Sequence, residues 1–79
     1  MNVRIKLLAS LVKYLPPNAT GRWAEVEAPE KATPITLMEK LGIPPKLISL
    51  ILVNGKRSDG DTLLQEGDEI RLLPPIPGG

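Results

Sequence analysis

From Asn2 to Leu8 apolar and polar positions alternate, with Val3, Ile5 and Leu7 on one side and Asn2, Arg4 and Lys6 on the other. That period of two predicts a half-buried strand. Ala9 to Tyr14 suits a turn or a short helical segment, closed by Leu15-Pro16-Pro17-Asn18 because a proline constrains the residue before it. A second strand is predicted from Gly21 to Ala28, with weaker alternation: Trp23 falls on the side of Glu25 and Glu27, opposite Val26. The bulk of Trp23 favours partial burial against the core over a docking role.

Thr33 to Gly42 reads as a complete helix. Thr33 is a suitable N-cap, Pro34 fits the first helical position, and Gly42 can take the left-handed conformation that ends a helix. Leu37, Met38 and Leu41 share one stripe. So short a helix is not stable alone and must pack on a sheet. Pro44-Pro45 follows as a stop, then Ser49 to Val53 as an apolar strand of the kind found in a sheet interior. Asn54-Gly55 is a turn signal, as are Asp59-Gly60-Asp61 and Glu66-Gly67-Asp68, with Leu63-Leu64 tucked between the last two. Glu69 to Leu73 is the final strand, Ile70 and Leu72 inward, Arg71 and Leu73 outward. The order of elements predicts an α+β domain with one main helix on one face of a sheet. Its bounds are 1–73, with 74–79 as an extended tail.

Composition narrows what such a domain can do. Its 79 residues and 42% hydrophobic content suffice for a single modest core. The chain has no Cys and no His, which excludes disulfides, thiol catalysis, His general bases and Cys- or His-based metal sites. Ten Lys and Arg against nine Asp and Glu leave a net charge of +1, too balanced to call for a nucleic-acid partner. The apolar run around Leu50-Ile51-Leu52-Val53 is far below the ~20 residues of a membrane span. Met1 to Arg4 does not open a signal peptide, so a cytoplasmic protein is expected. The acidic residues Asp59, Asp61, Glu66, Asp68 and Glu69 lack the spacing of a calcium loop and suit ordinary turn chemistry; no metal site is expected.

The tail is the part with candidate chemistry. Gly78 and Gly79 carry no Cβ and can thread a slot that side chains would block, while Pro74, Pro75 and Pro77 keep the backbone extended on either side of Ile76. Six extended residues reach about 20 Å at ~3.3 Å each.

Several ordered motifs resemble a known family. Leu52-Val53-Asn54-Gly55-Lys56, then Asp61-Thr62-Leu63-Leu64, Glu66-Gly67-Asp68-Glu69-Ile70 and Leu73-Pro74-Pro75-Ile76-Pro77-Gly78-Gly79, resemble the MoaD/ThiS-like ubiquitin-related sulphur carriers, above all the small subunit of molybdopterin synthase. Ala32-Thr33-Pro34 and Leu41-Gly42-Ile43-Pro44 are similar to that family's helix frame. The resemblance spans the chain and implies a β-grasp fold with a mixed sheet whose first and last strands lie side by side and parallel.

It also implies a chemistry. A carboxylate is a poor electrophile, so Gly79 would be adenylated by an E1-like enzyme that uses ATP. A sulphur donor such as a cysteine desulphurase or rhodanese would then convert it to a thiocarboxylate. The loaded tail, Pro74 to Gly79, would enter the large subunit of molybdopterin synthase, where sulphur goes into the molybdenum or tungsten cofactor. The chain itself would be a non-catalytic sulphur-donor subunit with no bound cofactor, without a nucleic-acid or membrane partner. If first and last strands are neighbours, Arg4, Lys6, Arg71 and Leu73 share the face away from the helix, a basic rim around an apolar spot leading to the tail. Those three cations are also what a merely solvated sheet face carries. Alternatives within the same fold are a carrier for thiamin or tRNA thiolation, or a modifier joined to lysines through Gly79. A passive interaction module whose tail has no chemistry is a third reading.

Overall fold

The N-terminal alternation becomes a strand, β1 (Asn2–Leu7), in which Val3, Ile5 and Leu7 are buried and Asn2 and Arg4 exposed. The computed structural model describes residues 1–75. After a 3₁₀ segment at Ala9–Tyr14 come β2 (Trp23–Glu27), α1 (Pro34–Leu41), a 3₁₀ turn at Pro45–Leu47, β3 (Leu50–Val53), β4 (Lys56–Ser58) and β5 (Glu69–Leu73). Ile76, Pro77, Gly78 and Gly79, the outer part of the tail, lie outside the described residues.

The strands form one five-stranded sheet in the order β2-β1-β5-β3-β4. The central pair is parallel, with Ile5 opposite Ile70 and Leu7 opposite Leu72. Each central strand has an antiparallel partner on its other side: β2 beside β1, β3 beside β5. This is the mixed β-grasp sheet, with the first and last strands adjacent and parallel. Ile5, Leu7, Ile70 and Leu72 are each 0% exposed, and burying a side chain of this size contributes roughly 1.5–3 kcal/mol. The centre of the sheet is therefore its most strongly held part.

Helix α1 covers one face. Leu37 and Met38 are buried in the common core and Leu41 packs at its edge. Both ends are closed as the sequence predicts. The Thr33 hydroxyl oxygen accepts from the Thr36 backbone N–H at 3.3 Å, and the Thr36 hydroxyl oxygen accepts from the Thr33 N–H at 3.1 Å, a reciprocal capping box. Gly42 takes φ +76°, and the Ile43 N–H returns to the Met38 carbonyl at 2.9 Å.

Four details depart from the sequence reading. Strand β4 was not expected: Lys56-Arg57-Ser58 is wholly polar and gives no alternation. It pairs because Asn54 (φ 52°) and Gly55 (φ 83°) form a two-residue reversal that folds it back on β3. The apolar run of β3 is not buried on both sides; Ile51 and Val53 face the core while Leu50 and Leu52 are half-buried on the face without a helix. Leu63 is 64% exposed and only Leu64, at 5%, enters the core. Trp23 does not join the core cluster but sits half-buried on the outer side of β2.

The acidic turns have structural employment. Asp68 accepts from the Asn54 side-chain amide at 2.9 Å and from the Gln65 N–H at 2.8 Å. Glu66 accepts from the Asn2 N–H at 3.0 Å. These carboxylates pin the loops around the start of β5.

Candidate functional site

The face opposite α1 carries every second residue of the sheet. Registers align Trp23 on β2, Lys6 on β1, Arg71 on β5, Leu52 on β3 and Arg57 on β4 as one row across it. A neighbouring row sets Glu25 opposite Arg4 and Arg4 opposite Glu69. Further along, Leu73 stands opposite Leu50, and Pro74 follows half-buried and Pro75 exposed. The tail thus leaves from a central strand, beside a pair of leucines, at the open face.

The four residues assigned to partner binding from the sequence lie on this one face, in two groups. Arg4, Lys6 and Arg71 gather around the Trp23 ring, with their charged ends 4.5, 5.3 and 5.6 Å from its centroid. All three are within cation–π range. Leu73 belongs to the second group, with Leu50 and with Leu52 nearby on β3. Sequence reasoning missed Leu50, Leu52 and the place of Trp23. The signal for Trp23 was present, since alternation placed it with Glu25 and Glu27; the habit of burying large aromatics outweighed it.

Charge on this face is incompletely paired. Arg4 Nη1 and Glu69 Oε2 form a salt bridge at 2.9 Å, the only ion pair among the described residues, and both side chains are about half exposed. An exposed pair of this kind contributes at most about 1 kcal/mol. Lys6 and Arg71 stand directly opposite each other, and like charges so placed cost on the order of 0.2–1 kcal/mol. Attraction to the Trp23 ring, about 0.5–1 kcal/mol per exposed cation, offsets that repulsion. The face thus has a cationic half over β2, β1 and β5 and an apolar half where β5 meets β3. No helix among the described residues is long and apolar enough to cross a membrane.

A parallel β1–β5 centre, one helix on one face and an open face from which the last strand leads out define a ubiquitin-like β-grasp protein. The family model for Mut7-C ubiquitin matches residues 1–76, and the chain belongs to that family. No curated protein matches it by sequence. Among solved structures, SAMP1 from Haloferax volcanii is similar over 100% of both chains at 24% identity and a TM-score of 0.73. The putative molybdopterin converting factor subunit 1 from Pyrococcus furiosus is 25% identical, with a TM-score of 0.68 over 95% of this chain and 98% of that one. A chain from the Helicobacter pylori complex of molybdopterin-converting factor subunits 1 and 2 is 25% identical, with a TM-score of 0.63 over 100% of both.

Proposed function

We propose that this protein is a sulphur carrier for molybdopterin synthesis that works through its Gly79 carboxylate. The observation that carries the reading is the course of β5. The central strand runs through Leu73 into Pro74 and Pro75, and the chain then continues Ile76-Pro77-Gly78-Gly79. Similarity to the Pyrococcus furiosus converting factor subunit and to the two-subunit Helicobacter pylori complex supports the pathway and a large-subunit partner.

In the chemistry proposed, a Gly79 carboxylate oxygen attacks the α-phosphorus of ATP on an E1-like enzyme, and pyrophosphate leaves. The terminal sulphur of a persulphide on a cysteine desulphurase or rhodanese adds to the acyl carbon and displaces AMP. A thiol then attacks the donor-side sulphur of the resulting acyl disulphide, releasing the thiocarboxylate and leaving a disulphide between that thiol and the donor cysteine. Transfer of that sulphur to the pterin precursor on the large subunit, with water supplying the replacement oxygen, restores the carboxylate. The small domain supplies the handle. Arg4, Lys6, Arg71 and Leu73 orient it on the partner, and the glycines pass where a Cβ would not. All of these steps belong in the cytoplasm.

Intact mass of the chain isolated from its native cell tests this directly. A gain corresponding to one oxygen-to-sulphur exchange at Gly79 is expected. Isopeptide linkage to lysines would replace the proposal with a modifier role, and an unmodified end throughout growth would leave a passive module. Deletion of Gly79 is expected to abolish sulphur loading while leaving the thermal midpoint unchanged, since the last strand ends at Leu73.

A further inference from the structure

The open face sets a cationic row, gathered on Trp23, beside an apolar pair, Leu73 and Leu50. We propose that the partner presents a carboxylate-bearing protein segment with an apolar anchor, that the carboxylates engage Lys6 and Arg71, and that Trp23 is the residue that positions these cations. This inference rests on the docking role assigned to the face above and adds the chemistry of its occupant.

Three observations support it. Lys6 and Arg71 are a directly opposed like-charge pair with no acidic partner among the described residues, so an incoming carboxylate gives both cations the counter-charge they lack. Arg4, Lys6 and Arg71 converge on one ring, so their side chains are partly ordered before binding and less conformational freedom is lost in the complex. The Leu73–Leu50 pair lies two residues further along β5 than Arg71, about 7 Å away at ~3.3 Å per residue, which sets the spacing between carboxylate and apolar anchor in the occupant.

Other occupants fit less well. A second copy of the chain stacked face to face would set the cationic row against itself. A nucleic acid would need the Trp23 ring free for base stacking, yet the cations already crowd it, and Glu25 and Glu69 border the row with negative charge. An acidic protein segment does not need the ring face, and with few carboxylates it can engage Lys6 and Arg71 while meeting Glu25 and Glu69 only at the border of the row.

The probe is a six-residue peptide of two glutamates, two leucines and two glutamates, titrated into the full chain with a peptide bearing lysines in place of the glutamates as control. Trp23 is the only tryptophan, so its emission reads the site directly, and amide chemical shifts locate the contact. The acidic peptide is expected to shift Trp23 emission and the amides of β1 and β5. Its affinity should fall at least about tenfold between about 0.1 M and about 1 M salt, as the screening length drops from about 10 to about 3 Å. The double variant Lys6→Ala and Arg71→Ala should lose about tenfold in affinity with no loss of thermal midpoint. Trp23→Leu, read by amide shifts, should weaken binding several-fold while both cations remain. Equal binding of the lysine peptide, salt-independent binding, shifts confined to α1, or tighter binding of an oligothymidylate would each overturn the proposal. The outcome is separable from the carrier reading, because peptide binding does not depend on the state of Gly79 and the intact mass does not depend on the peptide.

Discussion

Replacing Gly60 by alanine should be among the most damaging small changes outside the hydrophobic core. Gly60 is buried with φ +98°, and an added Cβ would stand 2.9 Å from both Cγ1 and Cδ1 of Ile35 and 3.5 Å from Cδ1 of Ile51. A side chain in that backbone region costs about 1–2 kcal/mol. Relieving the overlap requires the Ile35 side chain to leave its rotamer, for about 0.5–1.5 kcal/mol more. The position is also tied on both sides: its carbonyl accepts from the Ile35 N–H at 3.1 Å and its N–H donates to Ser58 Oγ at 3.0 Å. A loss of about 2–3 kcal/mol follows, and at about 4–8 °C per kcal/mol for a domain of this size the thermal midpoint should fall by roughly 10–20 °C. Gly67→Ala is the matched control. Its φ is +83° but nothing lies within 4 Å of the added atom, so only the backbone cost applies. Thermal unfolding followed by far-ultraviolet circular dichroism or Trp23 emission measures both. Equal losses at the two positions, or an unaffected Gly60→Ala, would refute the overlap argument.

Two further substitutions test the assignment of caps and faces. Thr33→Ala removes the hydroxyl that accepts from the Thr36 N–H and should cost about 1 kcal/mol in denaturant unfolding, with Thr33→Ser retaining most of it. Leu72→Ala, at a position 0% exposed, should cost about 2–5 kcal/mol, whereas Leu52→Ala on the open face should cost about 1 kcal/mol in the same assay.

How much could be read along the chain depended on how local each feature was. Helix α1 was legible to its ends because Thr33, Pro34 and Gly42 act on backbone groups within a few residues of themselves. The inward and outward residues of β1 and β5 were legible because alternation is a property of one strand. Strand β4 was not, since three polar residues have no period and become a strand only through pairing with β3. Leu50 and Leu52 looked like core for a related reason. A run of apolar residues shows that burial is available on both sides, but only the single helix, packed on one side, decides which half receives it.

The site divides along the same line. The tail Pro74-Pro75-Ile76-Pro77-Gly78-Gly79, the absence of Cys and His, and the resemblance that pointed to a sulphur carrier are properties of the chain as written. The gathering of Arg4, Lys6 and Arg71 around Trp23 is a property of the fold. It joins residues from three strands, and it exists because β1 lies between β2 and β5 in one register, which brings Lys6 opposite both Trp23 and Arg71. Periodicity and end signals act over a few residues and so can be read from sequence. Which distant strands become neighbours, and therefore which charges meet on the open face, is settled only when the sheet closes over its common core.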